Sequence, residues 1–128
     1  MTKCFRYGSV ARRLFKKRWG IDKGLTQDHH VIPRKFRNHE VLKRTGYDMN
    51  SSHNLVIMPT HYGMDKLNIR QDRLIHYGGH PKYDRYVFSI LEVMEQVQCD
   101  DTLKTYLNDY VVFLKKNLRT NESNLPWN

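Results

Sequence analysis

The stretch Asp28-His29-His30-Val31-Ile32-Pro33 decides how the rest of the chain is arranged. Two adjacent histidines precede a short apolar run, and proline cannot donate a hydrogen bond to a sheet ladder. The pattern therefore predicts a short strand over residues 28–32 that stops at Pro33, with both histidines near a turn. Adjacent side chains of a regular strand point to opposite faces, so His29 and His30 share a site only if the strand is twisted or bulged there.

A second apolar segment predicts a partner for this strand. Asn54-Leu55-Val56-Ile57-Met58 ends at Pro59 and is read as the second strand. Residues 48–52 have the composition of a turn, because Asp, Asn and Ser side chains hydrogen-bond their own backbone. Asn38 can cap a short helix over residues 39–45 that Gly46 ends. We therefore expect a hairpin whose connection contains a helix.

Helical signals lie on both sides of the hairpin. Ser9 can cap a helix over about residues 9–19 that Gly20 ends. Pro81 suits the first position of a second helix, and Asp100-Asp101-Thr102 introduces a closing helix over about residues 101–119. The apolar positions of these last two helices recur at helical spacing and predict the core: Tyr83, Tyr86, Val87, Ile90, Leu91, Met94, Val97, Leu103, Tyr106, Leu107, Tyr110, Val111, Leu114 and Leu118.

Three segments leave alternatives open. Residues 61–77 fit either a loop with an irregular turn or a short helix over residues 65–75, and periodicity does not choose between them. Residues 120–128 are expected to be loose, although Trp127 can dock. In the first helix Val10 and Leu14 share one side. Its basic residues suit either a solvated face or a surface that tracks phosphates: Arg12, Arg13, Lys16, Lys17 and Arg18.

The composition bounds the class of protein. With 128 residues the chain fits one small domain, residues 1–128. The 22 Lys and Arg against 13 Asp and Glu give a formal charge of +9, which favours a polyanionic partner. Cys4 and Cys99 are far apart, so we expect reduced thiols. We see no apolar run that could span a membrane and no secretory signal, and expect a soluble protein of the cytoplasm or nucleus, with signal-less secretion left open.

The histidines suit the hydrolysis of a phosphodiester bond. That reaction needs a water deprotonated near neutral pH and a cation against the charge that grows on the phosphate. Imidazole has an ordinary pKa of about 6.5 and can accept the proton, and neutral imidazoles also bind transition metals. His76 and His80 lie just before the helix predicted to start at Pro81, so both can approach a cation held against the first strand.

These segments resemble the HNH nuclease superfamily, which carries the ββα-metal fold, and within it the AHH branch. The family's ligand position, general-base histidine, two apolar residues and proline are matched by His29-His30-Val31-Ile32-Pro33. Its second strand, which opens with asparagine and ends in Leu/Met-Pro, is similar to residues 54–59. The branch's His-x-x-x-His-Pro-x-Tyr segment resembles His76-Tyr77-Gly78-Gly79-His80-Pro81-Lys82-Tyr83.

The resemblance covers about residues 27–87 and implies an α+β fold with a two-strand hairpin, a metal-site helix and flanking helices, with a motif core of about residues 27–97. It implies that His30, three residues before the proline, is the general base. Asn54 would fix the hairpin and orient His30. One divalent ion, Mg, Mn, Zn or Ni, would be bound by His29 and by one or both of His76 and His80.

The residues around the histidine pair also receive implied roles. The branch usually has a small residue before the pair, whereas this chain has Asp28. This departure opens a second register, in which Asp28 is the metal ligand and His29 the base, but the family's spacing of base and proline favours His30 as base and His29 as ligand. Asp28 is therefore expected as a carboxylate that hydrogen-bonds an imidazole, or as an alternative ligand. Arg34, Lys35 and Arg37 flank the site and are expected to bind substrate phosphates, with an ordinary solvated surface as the alternative. Three further histidines are expected outside the site, as surface or hydrogen-bonded residues: His39, His53 and His61.

The sequence therefore predicts a metal-dependent endonuclease acting on nucleic acid, with DNA favoured over RNA. One alternative is a non-catalytic nucleic-acid-binding module with a structural zinc ion on the same scaffold. Another is a toxin-type nuclease with a protein inhibitor. The motifs do not determine sequence preference, strand number, the metal, the oligomeric state or the biological context, because phosphate-directed chemistry carries little sequence information.

Overall fold

Two β-strands and five α-helices make up the described part of the chain. The computed structural model describes residues 5–69, 73–76 and 79–127. Its elements are listed here in chain order: α1 Val10–Arg18, β1 Thr26–His30, α2 Glu40–Thr45, β2 Leu55–Pro59, α3 His61–Lys66, α4 Pro81–Met94 and α5 Asp100–Thr120, with short 3-10 turns at Arg34–Phe36 and Ser52–Asn54. The fold is α+β with an antiparallel two-strand hairpin, as the sequence predicts.

The hairpin pairs β1 with β2 in a regular register that matches Thr26 to Pro59 and His30 to Leu55. β1 begins two residues before the predicted strand and ends at His30, where residues 28–32 had been expected. Val31 still donates its backbone N–H to the Asn54 carbonyl at 2.8 Å, but it and Ile32 turn into the core and are fully buried. Asn54 itself precedes β2, so the second strand also begins one residue later than predicted.

Asn54 explains why the chain leaves the sheet where it does. The side chain is fully buried and makes four hydrogen bonds. Its amide oxygen accepts from the Ile32 backbone N–H and the Tyr47 hydroxyl, both at 2.8 Å. Its amide nitrogen donates to the carbonyls of Ile32 at 3.1 Å and Met49 at 2.8 Å. One asparagine therefore fastens the end of β1 to the loop that enters β2, as the hairpin-fixing role requires.

The connection between the strands contains the predicted helix, shifted by one residue. α2 begins at Glu40, and its cap is His39, whose ring Nδ1 accepts from the Val41 backbone N–H at 3.1 Å. The prediction that Asn38 caps this helix is wrong. Gly46 ends α2 in the left-handed region at φ 63°, which a glycine adopts without strain.

Residues 61–77 differ from both alternatives that the sequence left open. The helix here is α3, capped by the Thr60 hydroxyl, and it ends at Lys66, about where the alternative helix was expected to start. α3 lies against the loop before β1, and a Cβ on Gly63 would approach the Leu25 carbonyl oxygen to 1.9 Å. Glycine is therefore required at this contact. Residues 70–72, 77 and 78 of the predicted segments lie outside the described residues.

The core lies between the hairpin and helices α2, α4 and α5. Pro81 is the first residue of α4, as predicted, and α5 packs against α2, α4 and β2. One expected core position is wrong, because Tyr106 is 51% exposed. Val97 lies beyond the end of α4, but it packs against the core, as Tyr86, Met94 and Tyr110 do. The buried residues of α4 and α5 are Tyr83, Val87, Leu91, Leu103, Leu107, Val111, Leu114, Asn117 and Leu118.

The first helix packs through a charged residue. α1 is capped by Ser9 and followed by Gly20 at φ 68°, as predicted, but Val10 and Leu14 are 61% and 59% exposed. Its buried residue is Arg12. No described helix, α5 with its 21 residues included, is long and apolar enough to cross a membrane. The single-domain organisation over residues 1–128 stays a prediction.

Candidate active site

Three of the predicted site residues come together in space. His29, His76 and His80 each offer one ring nitrogen, and these atoms all lie within 4.8 Å of one another. The ring centroids are 5.3 Å apart for His29 and His76, 5.7 Å for His29 and His80, and 4.9 Å for His76 and His80. Two nitrogens bound to one ion lie at most about 4.2 Å apart, so a small inward movement of the rings would let them share a cation.

Each of the three rings is positioned by a different element. His29 lies in β1 opposite Val56, on the hairpin face that packs against the core. His76 is fixed by its backbone N–H, which donates to the Pro59 carbonyl at 2.8 Å, at the end of β2. His80 immediately precedes Pro81, and its carbonyl accepts from the Asp84 backbone N–H at 2.9 Å, so it is held at the start of α4.

The environment keeps these imidazoles neutral. Burial lowers the pKa of His29 well below its usual value, and repulsion from His76 and His80 lowers it further. Burial, then His80, lowers the pKa of His76 to about 4, and burial also lowers the pKa of His80. A neutral imidazole has a lone pair to offer, so the three rings are in the protonation state that binds a metal.

The unpartnered nitrogens of the cluster fit a cation. Nε2 of His29 and both ring nitrogens of His80 are buried, and none has a hydrogen-bond partner among the described residues. Buried polar atoms are normally paired, because an unpaired one loses its hydration without compensation. His76 Nδ1 hydrogen-bonds to the Gln27 side-chain oxygen, which orients the ring and leaves Nε2 for a ligand. The donor set therefore fits a divalent transition metal held through imidazole.

Trp127 closes this cluster, although the sequence predicted only that it can dock. Its ring stacks on His80 with centroids 3.9 Å apart and an interplanar angle of 24°. It also lies 5.1 Å from the His29 ring, and its Nε1–H donates to the Ile75 carbonyl at 2.8 Å. Leu125 and Trp127 are 7% and 8% exposed, so these two residues attach the tail after α5 to the rest of the fold. The expectation of a loose tail is wrong for them.

His30 lies on the other face of the hairpin. β1 is regular, without the bulge that would bring both histidines onto one face, so His30 points away from the face of His29 and its ring packs against Tyr7 at 4.6 Å. His30 is the last residue of β1, and its charge helps to lower the pKa of His29 and His76, so a phosphate at the end of the strand can still reach both sides. His30 Nε2 donates to the Asn50 side-chain oxygen at 3.0 Å, because an amide oxygen can only accept. This tautomer leaves Nδ1 with a free lone pair. Burial lowers the pKa of His30, partly offset by the Asn50 hydrogen bond, so the ring is neutral at pH 7.

The sequence did not assign Asn50. It lies inside the Gly46–Asn50 stretch that joins α2 to the second 3-10 turn, and its type is common in turns. The side chain of Asn54, the expected orienting residue, hydrogen-bonds Ile32, Tyr47 and Met49 and not His30. Asn54 instead hydrogen-bonds the Met49 carbonyl and so fixes the loop that carries Asn50, the residue that contacts His30.

Asp28 is engaged away from the imidazole cluster. Its carboxylate accepts from Arg12 Nε at 2.8 Å and pairs with Lys16 Nζ at 3.0 Å. Burial alone raises its pKa, but the hydrogen bonds from Arg12 and Lys16 outweigh burial and hold the pKa below its usual value. Two of the five basic residues of α1 thus anchor the helix on β1. This geometry gives no support to Asp28 as an alternative ligand.

The three basic residues after Pro33 are placed differently from one another. Arg34 lies over the Tyr7 ring at 5.5 Å and its charge helps to lower the pKa of His30, so it stands beside the candidate base. Lys35 pairs with Asp84 at 2.7 Å. Arg37 donates to the Arg34 carbonyl at 3.3 Å. Arg34 is therefore the one of the three that the structure brings beside His30.

The remaining histidines lie apart from the cluster. His39 caps α2 and pairs with Glu92 at 3.0 Å, His53 packs against Tyr47 at 6.2 Å, and His61 begins α3. None of them belongs to the group of possible metal-binding residues in the described part of the chain. Cys99 is an exposed free thiol, and Cys4 lies outside the described residues.

Comparison with known families finds a match that covers most of the chain. A family model described as AHH, a nuclease family of the HNH/ENDO VII superfamily with conserved AHH, matches residues 14–118. At the position of the conserved alanine this chain carries Asp28, whose carboxylate binds α1. No curated protein and no solved structure matches the chain. Tyr7 and Trp127 lie outside the matched range.

Proposed function

Because the chain belongs to the AHH nuclease family of the HNH/ENDO VII superfamily, we propose that it is a metal-dependent endonuclease that hydrolyses phosphodiester bonds of nucleic acid, DNA in preference to RNA. One observation carries the proposal. Three neutral imidazoles converge with unpartnered nitrogens, and the adjacent residue in β1 is a neutral, oriented imidazole outside that cluster.

His29, His76 and His80 would hold one divalent ion. Bound there, the ion supplies positive charge against the transition state and the leaving oxygen. Three protein ligands leave coordination positions for other groups, as catalytic sites require. Imidazole ligands suit Zn, Ni and Mn, while Mg could serve because phosphate and water oxygens complete its shell.

His30 would act as the general base. Its Nδ1 lone pair accepts a proton from the attacking water as the water oxygen forms its bond to phosphorus and the bond to the leaving oxygen breaks. Asn50 holds the Nε2–H, so the ring cannot present the wrong nitrogen. Arg34, beside His30, would bind a phosphate oxygen of the substrate.

Two other predicted residues take supporting roles in this proposal. Asn54 fixes the end of β1 and the loop that carries Asn50, so it positions His30 without touching it. Asp28 holds α1 against the strand beside the histidine pair. Lys35 pairs with Asp84, and Arg37 donates to the Arg34 carbonyl. Both would bind substrate phosphates other than the one that is cleaved.

The test is conversion of supercoiled plasmid by wild type and His30→Ala across Mg, Mn, Ni and Zn, with a chelator control and a parallel RNA substrate. We expect wild type to nick DNA in at least one metal, and His30→Ala to bind DNA without cutting it. His61→Ala, a histidine outside the cluster, is the matched control and should keep full activity. Absence of cleavage of both substrates in every metal would overturn the proposal.

A further inference from the structure

A cavity of about 550 Å³ lies on the side of the hairpin that carries His30. Its floor is Leu55 and Ile57 of β2. Phe5 and Phe15 form one wall, and Lys115 and Arg119 of α5 form the other. Leu55 is the residue paired with His30, and directly paired residues of an antiparallel ladder share a face. The cavity therefore lies on the hairpin face of the candidate base, and Leu55, which lines it, is the strand neighbour of His30.

The α5 wall gives the cavity an excess of positive charge. None of the described residues that line it is acidic; Arg12 also lines it, but its guanidinium is paired with Asp28. Lys115 donates to the carbonyls of Ser52 at 2.9 Å and His53 at 3.2 Å, which fixes its ammonium in place. Burial, then repulsion from Arg119 and Arg12, lowers the pKa of Lys115 to about 8. An anionic group in the cavity would relieve that repulsion.

The other wall is aromatic. Phe5 and Phe15 are each 40% exposed and meet edge to face at a centroid distance of 6.2 Å. Exposed aromatic rings beside cations are the elements with which proteins bind unpaired bases and their phosphates. The cavity volume lies in the range of pockets that hold small ligands of nucleotide size.

We propose that this cavity binds one unpaired nucleotide of the substrate strand, with its base against Phe15 and Phe5 and its phosphate on Lys115 and Arg119. The inference rests on the proposed function, since the nucleotide belongs to a strand that passes His30. A free phosphate would not use the apolar wall, and an apolar ligand would not use the cations. A base inside a duplex is covered on both faces by its neighbours, so the nucleotide must be unpaired.

The enzyme therefore prefers single-stranded or locally opened nucleic acid. Both DNA and RNA offer the required base and phosphate, and the experiment separates them. Fluorescence anisotropy measures binding of labelled 12-nucleotide single strands of DNA and RNA, the corresponding duplexes, and an abasic deoxyribose-phosphate strand of the same length. A chelator prevents cleavage, and circular dichroism shows that each protein is folded under these conditions.

Phe15→Ala should weaken binding of the single strands by roughly 5-fold to 20-fold, because one base loses its aromatic partner. Its binding of the duplexes and the abasic strand should match wild type. Leu14→Ala is the matched control, since Leu14 lies on the same helix, is 59% exposed and does not line the cavity. Phe15→Leu keeps an apolar side chain and should show most of the same loss even if the alanine variant folds poorly.

The charge of the cavity is tested by salt dependence. Arg119→Gln should reduce the slope of log affinity against log salt by about 0.7 for single strands, the value for one lost phosphate contact. Lys104→Gln, an exposed residue of the same helix outside the cavity, is the control and should not reduce this slope.

Three results would overturn the proposal: unchanged single-strand binding by Phe15→Ala and Phe15→Leu, an equal loss on the abasic strand, or tighter binding of duplex than of single strand by wild type. Plasmid and RNA cleavage by wild type is measured beside these experiments. If wild type cleaves and the Phe15 variants have no effect on binding, only the cavity assignment is removed. If wild type cleaves neither substrate in any metal, the proposed function is removed.

Discussion

His29 and His30 are consecutive residues of one strand, yet they lie in opposite environments. His29 is 5% exposed and surrounded by the rings of His76, His80, Tyr83 and Trp127. His30 is partly exposed, hydrogen-bonds to Asn50 and packs on Tyr7. The alternation of a β-strand thus places the proposed ligand, His29, in a buried environment and the proposed base, His30, in an accessible one.

The two faces also differ in what completes them. The His29 face is closed by Trp127 from the tail after α5, and the His30 face by Tyr7 from the segment before α1. Both residues lie outside the range matched by the family, residues 14–118. The hairpin and the start of α4 lie inside the matched range, whereas Tyr7 and Trp127, which pack on the two faces, lie outside it. The following variants test whether the His29 face binds the metal and the His30 face carries the base.

His29→Ala should have the largest effect. It removes one of three proposed ligands, so we expect metal affinity to fall by more than roughly 100-fold, beyond the loss caused by removing a residue that only supports a ligand. Isothermal titration with zinc or manganese measures the affinity, and plasmid nicking should be lost with it. Unchanged metal affinity in this variant would show that His29 is not a ligand. His61→Ala serves as the control.

His30→Ala should slow cleavage by ~10² to 10⁴ while metal affinity stays at the wild-type value, because a general base moves the proton and does not hold the ion. Single-turnover cleavage and zinc titration on the same preparation give both quantities. A parallel fall of metal affinity would place His30 among the ligands and remove the distinction between the two faces.

Asn50→Ala should slow cleavage by about 10-fold to 100-fold without changing metal affinity. The substitution removes the acceptor that fixes the His30 tautomer, and misplacement of a catalytic group by about 1 Å can cause a loss of this size. Asn50→Asp keeps an acceptor oxygen and should recover part of the rate. If Asn50→Ala cleaves at the wild-type rate, the hydrogen bond to His30 has no catalytic role.

Trp127→Ala should weaken metal binding by about 10-fold. Residues that support a metal ligand contribute about 10-fold to 100-fold to metal affinity, and we expect the lower value because Trp127 contacts His80 by stacking and not by a hydrogen bond. Trp127→Phe should bind nearly as wild type. The chain has two tryptophans, and Trp19 is 65% exposed on α1. Nickel should therefore quench the fluorescence of Trp19→Phe, where only Trp127 emits, and leave that of Trp127→Phe unchanged. Equal quenching of both variants would contradict the placement of Trp127.

The parts of the site that follow from local patterns could be predicted. The His29-His30 pair, the Asn54 segment and the Pro81 start of α4 depend on residues close in sequence, and the structure confirms the hairpin and the helix they predict. His76 and His80 also meet His29 as expected, although whether they bind a metal stays a prediction.

Other features depend on contacts between distant residues, which periodicity cannot reveal. The stacking of Trp127 on His80 joins the tail after α5 to the start of α4. The mostly polar composition of residues 120–126 does not indicate this contact. The burial of Arg12 follows from Asp28, 16 residues away, and not from its own helix, whose apolar residues are exposed. The Thr60 cap of α3 fixes a helix that its apolar pattern does not indicate.

The most direct test of the central account is a long-range proton–nitrogen NMR spectrum of the histidine rings, recorded before and after addition of one equivalent of zinc. The account predicts that ring nitrogens of His29, His76 and His80 shift as ligands, with His76 bound through Nε2. His30 should remain the tautomer with a proton on Nε2 and none on Nδ1. A ligand shift of His30, or unchanged nitrogens in the other three rings, would contradict the assignment of the metal to one face of β1 and the base to the other.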